Sequence, residues 1–374
     1  MTKRIFNFSA GPATLPEEIL KIAQENLLNF NNTGMSIMEM SHRSKVFELV
    51  LDQAKTGLIK LLNIPSTHDV LFLQGGASLQ FSMVPMNLKT STNKSILINT
   101  GSWTKKALKE INKEMNCDVV ASSEDKNFSY IPDIDETTFN QPADFAYLCS
   151  NNTIFGTQFK AFPNTKNIPL VADMSSDILS RKLDISKFGL IFAGAQKNIG
   201  PSGVTIVIIR KDLIERVEET VPSMLKYKSF AESNSLYNTI PTFGIYMISL
   251  MTNWLDQMGG IDSIEEKNNT KSQLLYDAID TSNYYSCPVS PKDRSSMNVV
   301  FRIGTNEELE KKFIKEATEL GLDGLKGHRS VGGLRASIYN SHPEEGVSTL
   351  IEFMTEFKSK NRLINVCFRS REAQ

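Results

Sequence analysis

Seven short apolar runs, at residues 70–73, 95–99, 117–121, 145–149, 170–172, 190–193 and 204–209, are spaced through the middle of the chain. Several show no polar–apolar alternation, which is the pattern of strands covered on both faces. Helical stretches at 79–88 and 104–115 have the length of crossovers that carry the chain back to begin a parallel neighbour. Strands alternating with helices in this way predict an α/β fold with a mostly parallel seven-stranded sheet and flanking helices.

The two ends read differently. Phe6-Asn7-Phe8-Ser9-Ala10-Gly11-Pro12-Ala13 is extended and turn-rich, and Pro16 opens a helix expected through about residue 30. Ser44 is placed to cap a helix reaching about residue 62. After Gly259-Gly260 the sequence predicts a helix at 261–279, a strand at 298–303, a helix to 320, a strand at 334–338 and a last helix to about 358. This is a smaller α+β domain. The expected division is residues 16–258 for the large domain, with 1–15 and 259–374 forming the small one. Beyond Asn361, residues 363–368 read as a short strand or a free tail.

Composition narrows the function. A net charge of −1 over 374 residues gives no general attraction to nucleic acid or to an anionic membrane. No apolar run approaches the roughly 20 residues of a membrane span, and Met1-Thr2-Lys3-Arg4-Ile5-Phe6 has no apolar leader core. The four cysteines, Cys117, Cys149, Cys287 and Cys367, lack metal-ligand spacing and read as reduced thiols of a cytoplasmic protein without a metal site.

In a parallel sheet, ligands gather at the carboxyl ends of the strands. The loops expected there carry a coherent set. Lys197 follows the apolar run at 190–193 on a tight connection between two buried strands, where an ε-amine is desolvated and its lone pair freed for Schiff-base chemistry. Asp173 ends the run at 170–172, where a carboxylate is costly unless paired; it suits a helix cap or a cationic ring nitrogen. Trp103, one of two tryptophans, is placed to stack on a heterocycle or to fill the core. Gln74-Gly75-Gly76-Ala77-Ser78 opens a helix whose backbone N–H groups can cradle an anion or simply make a tight turn. Ser150-Asn151-Asn152-Thr153 adds a polar edge. An amine, a carboxylate, a stacking ring and an anion cradle at neighbouring strand ends are together what pyridoxal 5'-phosphate requires.

Four segments carry a resemblance: Asn7-Phe8-Ser9-Ala10-Gly11-Pro12-Ala13, Met38-Glu39-Met40-Ser41-His42-Arg43, residues 193–201, and residues 326–340 with Lys326-Gly327-His328-Arg329-Ser330. From Phe6 to about Phe357 the chain resembles the phosphoserine aminotransferase family, class V of the fold-type I pyridoxal-phosphate-dependent enzymes. The resemblance implies that Lys197 attaches the cofactor and Asp173 pairs with its ring nitrogen. Trp103 would stack on the ring, Thr153 would bond near the ring oxygen, and Ala77, Ser78 and Gln196 would hold the phosphate. Asn238 and Thr239 would reach that phosphate from the other subunit of a homodimer with shared sites. Two positions depart from the family pattern: Ala77-Ser78-Leu79 stands where another glycine is usual, and Ala10 where serine is frequent.

Two of the four histidines directly precede arginine, in His42-Arg43 and His328-Arg329, and Arg335 follows the second pair. Guanidinium groups grip carboxylate and phosphate with two parallel bonds, so such a cleft suits a small substrate with two anionic ends. By resemblance, Arg335 takes the α-carboxylate, and His328, Arg329, His42 and Arg43 take the phosphate. The implied reaction is a reversible ping-pong transamination between L-glutamate and 3-phosphohydroxypyruvate, a step of L-serine biosynthesis. A member of that family can also form 4-phosphohydroxythreonine in pyridoxine biosynthesis.

The nearest alternative is another class V enzyme, such as an alanine– or serine–glyoxylate aminotransferase, which would lack the two His-Arg pairs. A cysteine desulfurase would need a nucleophilic cysteine on a mobile site loop, and none of the four is assigned there. A nicotinamide dehydrogenase would need Gly-x-Gly-x-x-Gly where Gln74-Gly75-Gly76-Ala77-Ser78-Leu79 stands. A cofactor carrier without catalysis would have no use for Arg335 and both His-Arg pairs.

Overall fold

A computed structural model describes residues 4–371. The expectations for a leader and for the domain termini reach into residues 1–3 and 372–374, outside the described residues. In chain order the elements are β1 (Phe6–Asn7), α1 (Glu17–Glu25), α2 (Lys45–Leu62), β2 (His68–Leu73), α3 (Gly76–Leu88), β3 (Lys94–Asn99), α4 (Ser102–Glu114) and β4 (Asn116–Ser122). Next come β5 (Ala146–Cys149), β6 (Leu170–Asp173), β7 (Leu190–Gly194), β8 (Thr205–Arg210), α5 (Lys211–Ile214), α6 (Tyr227–Glu232), α7 (Thr242–Gln257) and α8 (Gly260–Asp280). The chain closes with β9 (Asn298–Phe301), α9 (Glu307–Glu319), β10 (Leu322–Asp323), β11 (Leu334–Ser337) and α10 (Glu344–Arg371).

All seven apolar runs of the middle region become strands of one seven-stranded sheet, ordered β2-β8-β7-β6-β5-β3-β4. Every residue of β5, β6 and β7 is buried, which explains why these runs show no alternation. Neighbours from β7 through to β4 are parallel, whereas β8 runs antiparallel to both β7 and β2. The reason is length. Residues 195–204 between β7 and β8 hold no helix and cannot return the chain to the far end of the sheet, so it must turn back. That short turn carries Lys197.

The sheet separates two apolar layers. Ile191 and Ala193 of β7 point into one, with Phe47, Leu58 and Met251 from α2 and α7. Leu190 and Phe192 point into the other, with Phe81 and Ala107 from α3 and α4. A third cluster lies apart from the sheet and gathers Phe8, Leu275, Phe301, Phe313, Leu334 and Phe353. It surrounds the antiparallel pair β9–β11 and the parallel pair β1–β10, so the N-terminal arm packs with the C-terminal segments.

Ser44 caps α2 as its position suggests, its hydroxyl accepting from Phe47 N at 3.2 Å. Three local expectations are corrected. Helix α1 stops at Glu25, and only a 3-10 turn forms at Phe30–Asn32, where Asn31 and Asn32 adopt positive φ that a helix cannot contain. Helix α7 was not anticipated; it is buried on most of its surface and lacks a polar stripe to mark a helical period. Helix α10 runs to Arg371, through residues expected to form a strand or a free tail, because no glycine or proline interrupts the sequence after Gly346.

Candidate active site

The carboxyl ends of β2, β3, β5, β6 and β7 bring the predicted residues together. After β2, Gly75 adopts φ +87 and a Cβ there would lie 2.5 Å from Leu79 Cδ2, so only glycine makes this turn. Helix α3 then begins at Gly76-Ala77-Ser78 with no side-chain cap, leaving its first N–H groups for an outside acceptor. After β3, the Thr104 hydroxyl accepts from Thr100 N and Gly101 N, both at 3.1 Å, and fixes the start of α4. Trp103 sits in that first turn, and its indole nitrogen is buried without a partner.

After β5, Asn152 Nδ2 donates to Thr100 O at 2.9 Å, which locks the Asn151-Asn152-Thr153 loop against the Trp103 turn. At the end of β6, Asp173 Oδ1 accepts from Ser175 N at 3.0 Å and from Ser175 Oγ at 2.7 Å. Burial pushes the Asp173 carboxyl up, while the Ser175 hydrogen bonds and the charge of Lys197 hold it down. After β7, Lys197 Nζ donates to Thr153 Oγ1 at 2.6 Å and lies 5.7 Å from the Trp103 ring centroid. Burial pulls the Lys197 pKa down; Asp173 opposes this, and the positive charge of Arg335 adds to it.

The N-terminal arm closes one side. Ala13 N donates to Gln196 O at 2.9 Å, and a Cβ on Gly11 would meet Lys197 Cγ at 3.4 Å. Buried Tyr339 holds the arm, donating from its hydroxyl to Ala10 O at 2.8 Å and accepting from Asn298 Nδ2 at 3.1 Å. The Ala10 contact to Tyr339 is thus made by its backbone and does not depend on its side chain.

From β11, Arg335 Nη1 donates to Thr153 O at 3.2 Å, and its Nε is buried without a partner. His328 Nδ1 pairs with Ser330 Oγ at 2.7 Å, and Arg329 is exposed. Burial lowers the His328 pKa, helped by Arg335, Arg329 and Lys106. Lys106 carries no motif in the sequence. The structure places its Nζ 4.4 Å from the Trp103 ring centroid, among these cations.

Asn238 and Thr239 meet the cleft through Gln74, at the head of the loop before α3, whereas His42 and Arg43 make no polar contact to it among the described residues. His42 and Arg43 lie on the loop before α2, with His42 Nε2 buried and unpartnered. Asn238 Nδ2 donates to Gln74 Oε1 at 3.0 Å while its Oδ1 is buried without a partner, and Thr239 O accepts from Gln74 Nε2 at 3.3 Å.

The residues present fit pyridoxal phosphate. The uncapped α3 terminus can hold a phosphate, Trp103 offers a ring face, Asp173 is a buried carboxylate beside Lys197, and burial of Lys197 favours its neutral amine.

Fold and site together define a pyridoxal-phosphate-dependent transaminase of the type catalogued as Aminotransferase class-V, whose family pattern matches residues 5–350. The phosphoserine aminotransferase of Geobacillus kaustophilus is 55% identical over 359 residues, covering 96% of this chain and 99% of its own. The solved phosphoserine aminotransferase from Bacillus circulans subsp. alkalophilus superposes with a TM-score of 0.92 at 49% identity, over 96% of this chain and 99% of that one. The pyridoxal-phosphate-bound enzyme from Trichomonas vaginalis gives 0.89 at 36% identity, over 94% and 100%. The chain belongs to the phosphoserine aminotransferase family.

Proposed function

We propose that the protein transfers the amino group of L-glutamate to 3-phosphohydroxypyruvate, giving O-phospho-L-serine and 2-oxoglutarate, as a step of L-serine biosynthesis. The observation that carries this reading is the convergence of Lys197 and Arg335 on Thr153, which sets a reactive amine beside a carboxylate-binding guanidinium.

Pyridoxal phosphate, when bound, supplies an aldehyde that condenses with amines and a cationic ring that draws electrons from the substrate α-carbon. The chain's own residues do the rest. Lys197 Nζ is the attachment point. As a free amine, Nζ would take the substrate α-proton as a base and deliver it as an acid to the cofactor's former aldehyde carbon, a role favoured by its lowered pKa. Asp173, fixed by Ser175, holds the proton on the ring nitrogen. Trp103 covers the ring, Thr153 orients the ring oxygen, and Ala77 and Ser78 at the α3 terminus, with Gln196, hold the phosphate.

Arg335 grips the α-carboxylate of either substrate with two parallel bonds. His328 and Arg329 bind the far end, which is phosphate in one substrate and carboxylate in the other. The working unit is a homodimer in which His42, Arg43, Asn238 and Thr239 complete the neighbouring site; the buried, unpartnered His42 Nε2 and Asn238 Oδ1 support this assignment. The proposed setting is the cytoplasm, where the cysteines would stay reduced thiols. Among the described residues no helix is long and apolar enough to cross a membrane.

The direct test is product analysis. The enzyme given glutamate and 3-phosphohydroxypyruvate should release phosphoserine and 2-oxoglutarate in equal amounts, and release of alanine or glycine from pyruvate or glyoxylate at comparable rates would contradict the assignment.

A further inference from the structure

The loop bearing His328 and Arg329 is held from outside the site. Within itself it is closed by Val331 N and Gly332 N donating to His328 O at 2.9 and 2.8 Å, and by Gly327 N donating to Gly333 O at 2.9 Å. Arg302, just after β9, reaches it from the neighbouring strand. In the β9–β11 pairing, Phe301 stands opposite Leu334, which sets Arg302 opposite Gly333.

The Arg302 backbone is fixed by mutual hydrogen bonds with Ser286, at 2.8 and 3.0 Å. Its side chain spans two anchors. Nε donates to Glu310 Oε1 at 2.7 Å, and Nη1 donates to Val331 O at 3.3 Å. Glu310 is 4% exposed and also accepts from Ile303 N at 3.3 Å, so it cannot swing away without leaving a buried carboxylate unpaired. The loop is shaped to receive this side chain. Gly332 and Gly333 adopt φ +74 and +72, and a Cβ on Gly333 would lie 2.5 Å from Arg302 Cδ. Bulk at position 333 would push the guanidinium off Val331.

We propose that Arg302 is a positioning residue that fixes the His328–Arg329 loop relative to Arg335 and thereby sets discrimination between a phosphate and a carboxylate at the far end of the substrate. This rests on the transaminase reading above. Bidentate recognition of phosphate tolerates little displacement of the gripping groups, so a loop free to drift would bind phosphate less selectively. Lysine would replace Arg302 only in part, because a single ammonium cannot hold both the Glu310 carboxylate and the Val331 carbonyl in two fixed directions.

The test compares the full-length holoenzyme with Arg302→Met, Arg302→Lys and Glu310→Gln in the two half-reactions. For Arg302→Met, KM for 3-phosphohydroxypyruvate should rise about tenfold, the size of one lost charge-assisted hydrogen bond, while KM for glutamate changes by about threefold or less. The maximal rate and the visible spectrum of the bound cofactor should not move. Arg302→Lys should fall between wild type and Arg302→Met. If Arg302→Met does not fold, Glu310→Gln, which keeps the shape but weakens the Glu310 anchor, should shift the same KM in the same direction. An unchanged ratio of the two KM values in these variants would overturn the proposal. So would a parallel loss of both half-reactions with an altered spectrum, which would mark a general collapse. A wild-type enzyme unable to aminate 3-phosphohydroxypyruvate overturns both readings, whereas an active wild type matched by Arg302→Met overturns the brace alone.

Discussion

Lys197 and Arg335 are tied to the two ends of one residue: Lys197 Nζ donates to the Thr153 hydroxyl at 2.6 Å, and Arg335 Nη1 donates to the Thr153 carbonyl at 3.2 Å. Thr153 is itself buried and set by the Asn152 bond to Thr100. The Lys197 amine and the Arg335 guanidinium are therefore held in a fixed relation by a loop at the end of β5.

Thr153→Val removes the acceptor for Lys197 and keeps the carbonyl for Arg335. The expected result is a fall in kcat of about tenfold, one hydrogen bond's worth, with smaller change in KM for either substrate. Thr153→Ser, which retains the hydroxyl, should stay close to wild type. Equal losses in both variants would show that the methyl group, not the hydroxyl, is what matters.

Arg335→Ala should raise KM for glutamate and for 3-phosphohydroxypyruvate alike, each by roughly tenfold to a hundredfold, since both present the same α-carboxylate and a hydrogen bond to a charged group contributes about 1.5–3 kcal/mol. Steady-state kinetics with each substrate varied in turn checks this. A variant that spoils only one substrate would place Arg335 at the far end of the cleft instead.

Burial lowers the Lys197 pKa, and Asp173 pulls it back up. The neutral amine is the form that captures an aldehyde. In protein stripped of cofactor, the pH midpoint for capture of added pyridoxal phosphate should lie below the 10.5 of a free lysine. Asp173→Asn removes a charge that raises this pKa, so its midpoint should fall further; a rise would contradict the electrostatics. The linkage has the same sign. Between the folded and unfolded pKa values the unfolded chain binds more protons at this residue, so the Lys197 contribution to stability grows as pH rises through that window.

The proposed sharing of sites between subunits makes a sharp prediction for mixed dimers. Lys197→Ala and Arg43→Ala should each be nearly inactive alone. Mixed and allowed to exchange subunits, they should regain activity, because one site of each heterodimer pairs an intact Lys197 with an intact Arg43. No recovery, with exchange verified by a tag on one chain, would mean that Arg43 serves its own subunit.

Much of this architecture is legible in the sequence because burial leaves a direct trace. Strands β5, β6 and β7 are covered on both faces, so their apolar runs stand out, and the residues that follow them, Thr153, Asp173 and Lys197, fall at strand ends. The same burial hides α7, whose apolar surface has no polar stripe to give it a period. The end of α1 escapes notice because apolar residues continue through Leu27, Leu28 and Phe30 after the helix has stopped at its cap Asn26. At the site, Arg335 and Lys197 were readable as charges in motif-bearing loops, yet their meeting at Thr153 was not, since one of the two bonds uses a backbone carbonyl. Lys106 belongs to no motif, and its place over Trp103 follows only from the pitch of α4. His42 and Arg43 are charges that the sequence cannot place, because no polar contact among the described residues ties their loop to this cleft.

The most direct test of the central claim is the absorbance spectrum of the purified protein before and after glutamate. The account predicts a visible band from the Lys197-bound cofactor, its replacement by a near-ultraviolet band when glutamate is added, and its return with 3-phosphohydroxypyruvate but not with pyruvate. A visible band that ignores glutamate would leave the fold and the cofactor in place and contradict the transaminase. A protein that shows no band even with added pyridoxal phosphate would contradict the reading from Lys197 outward.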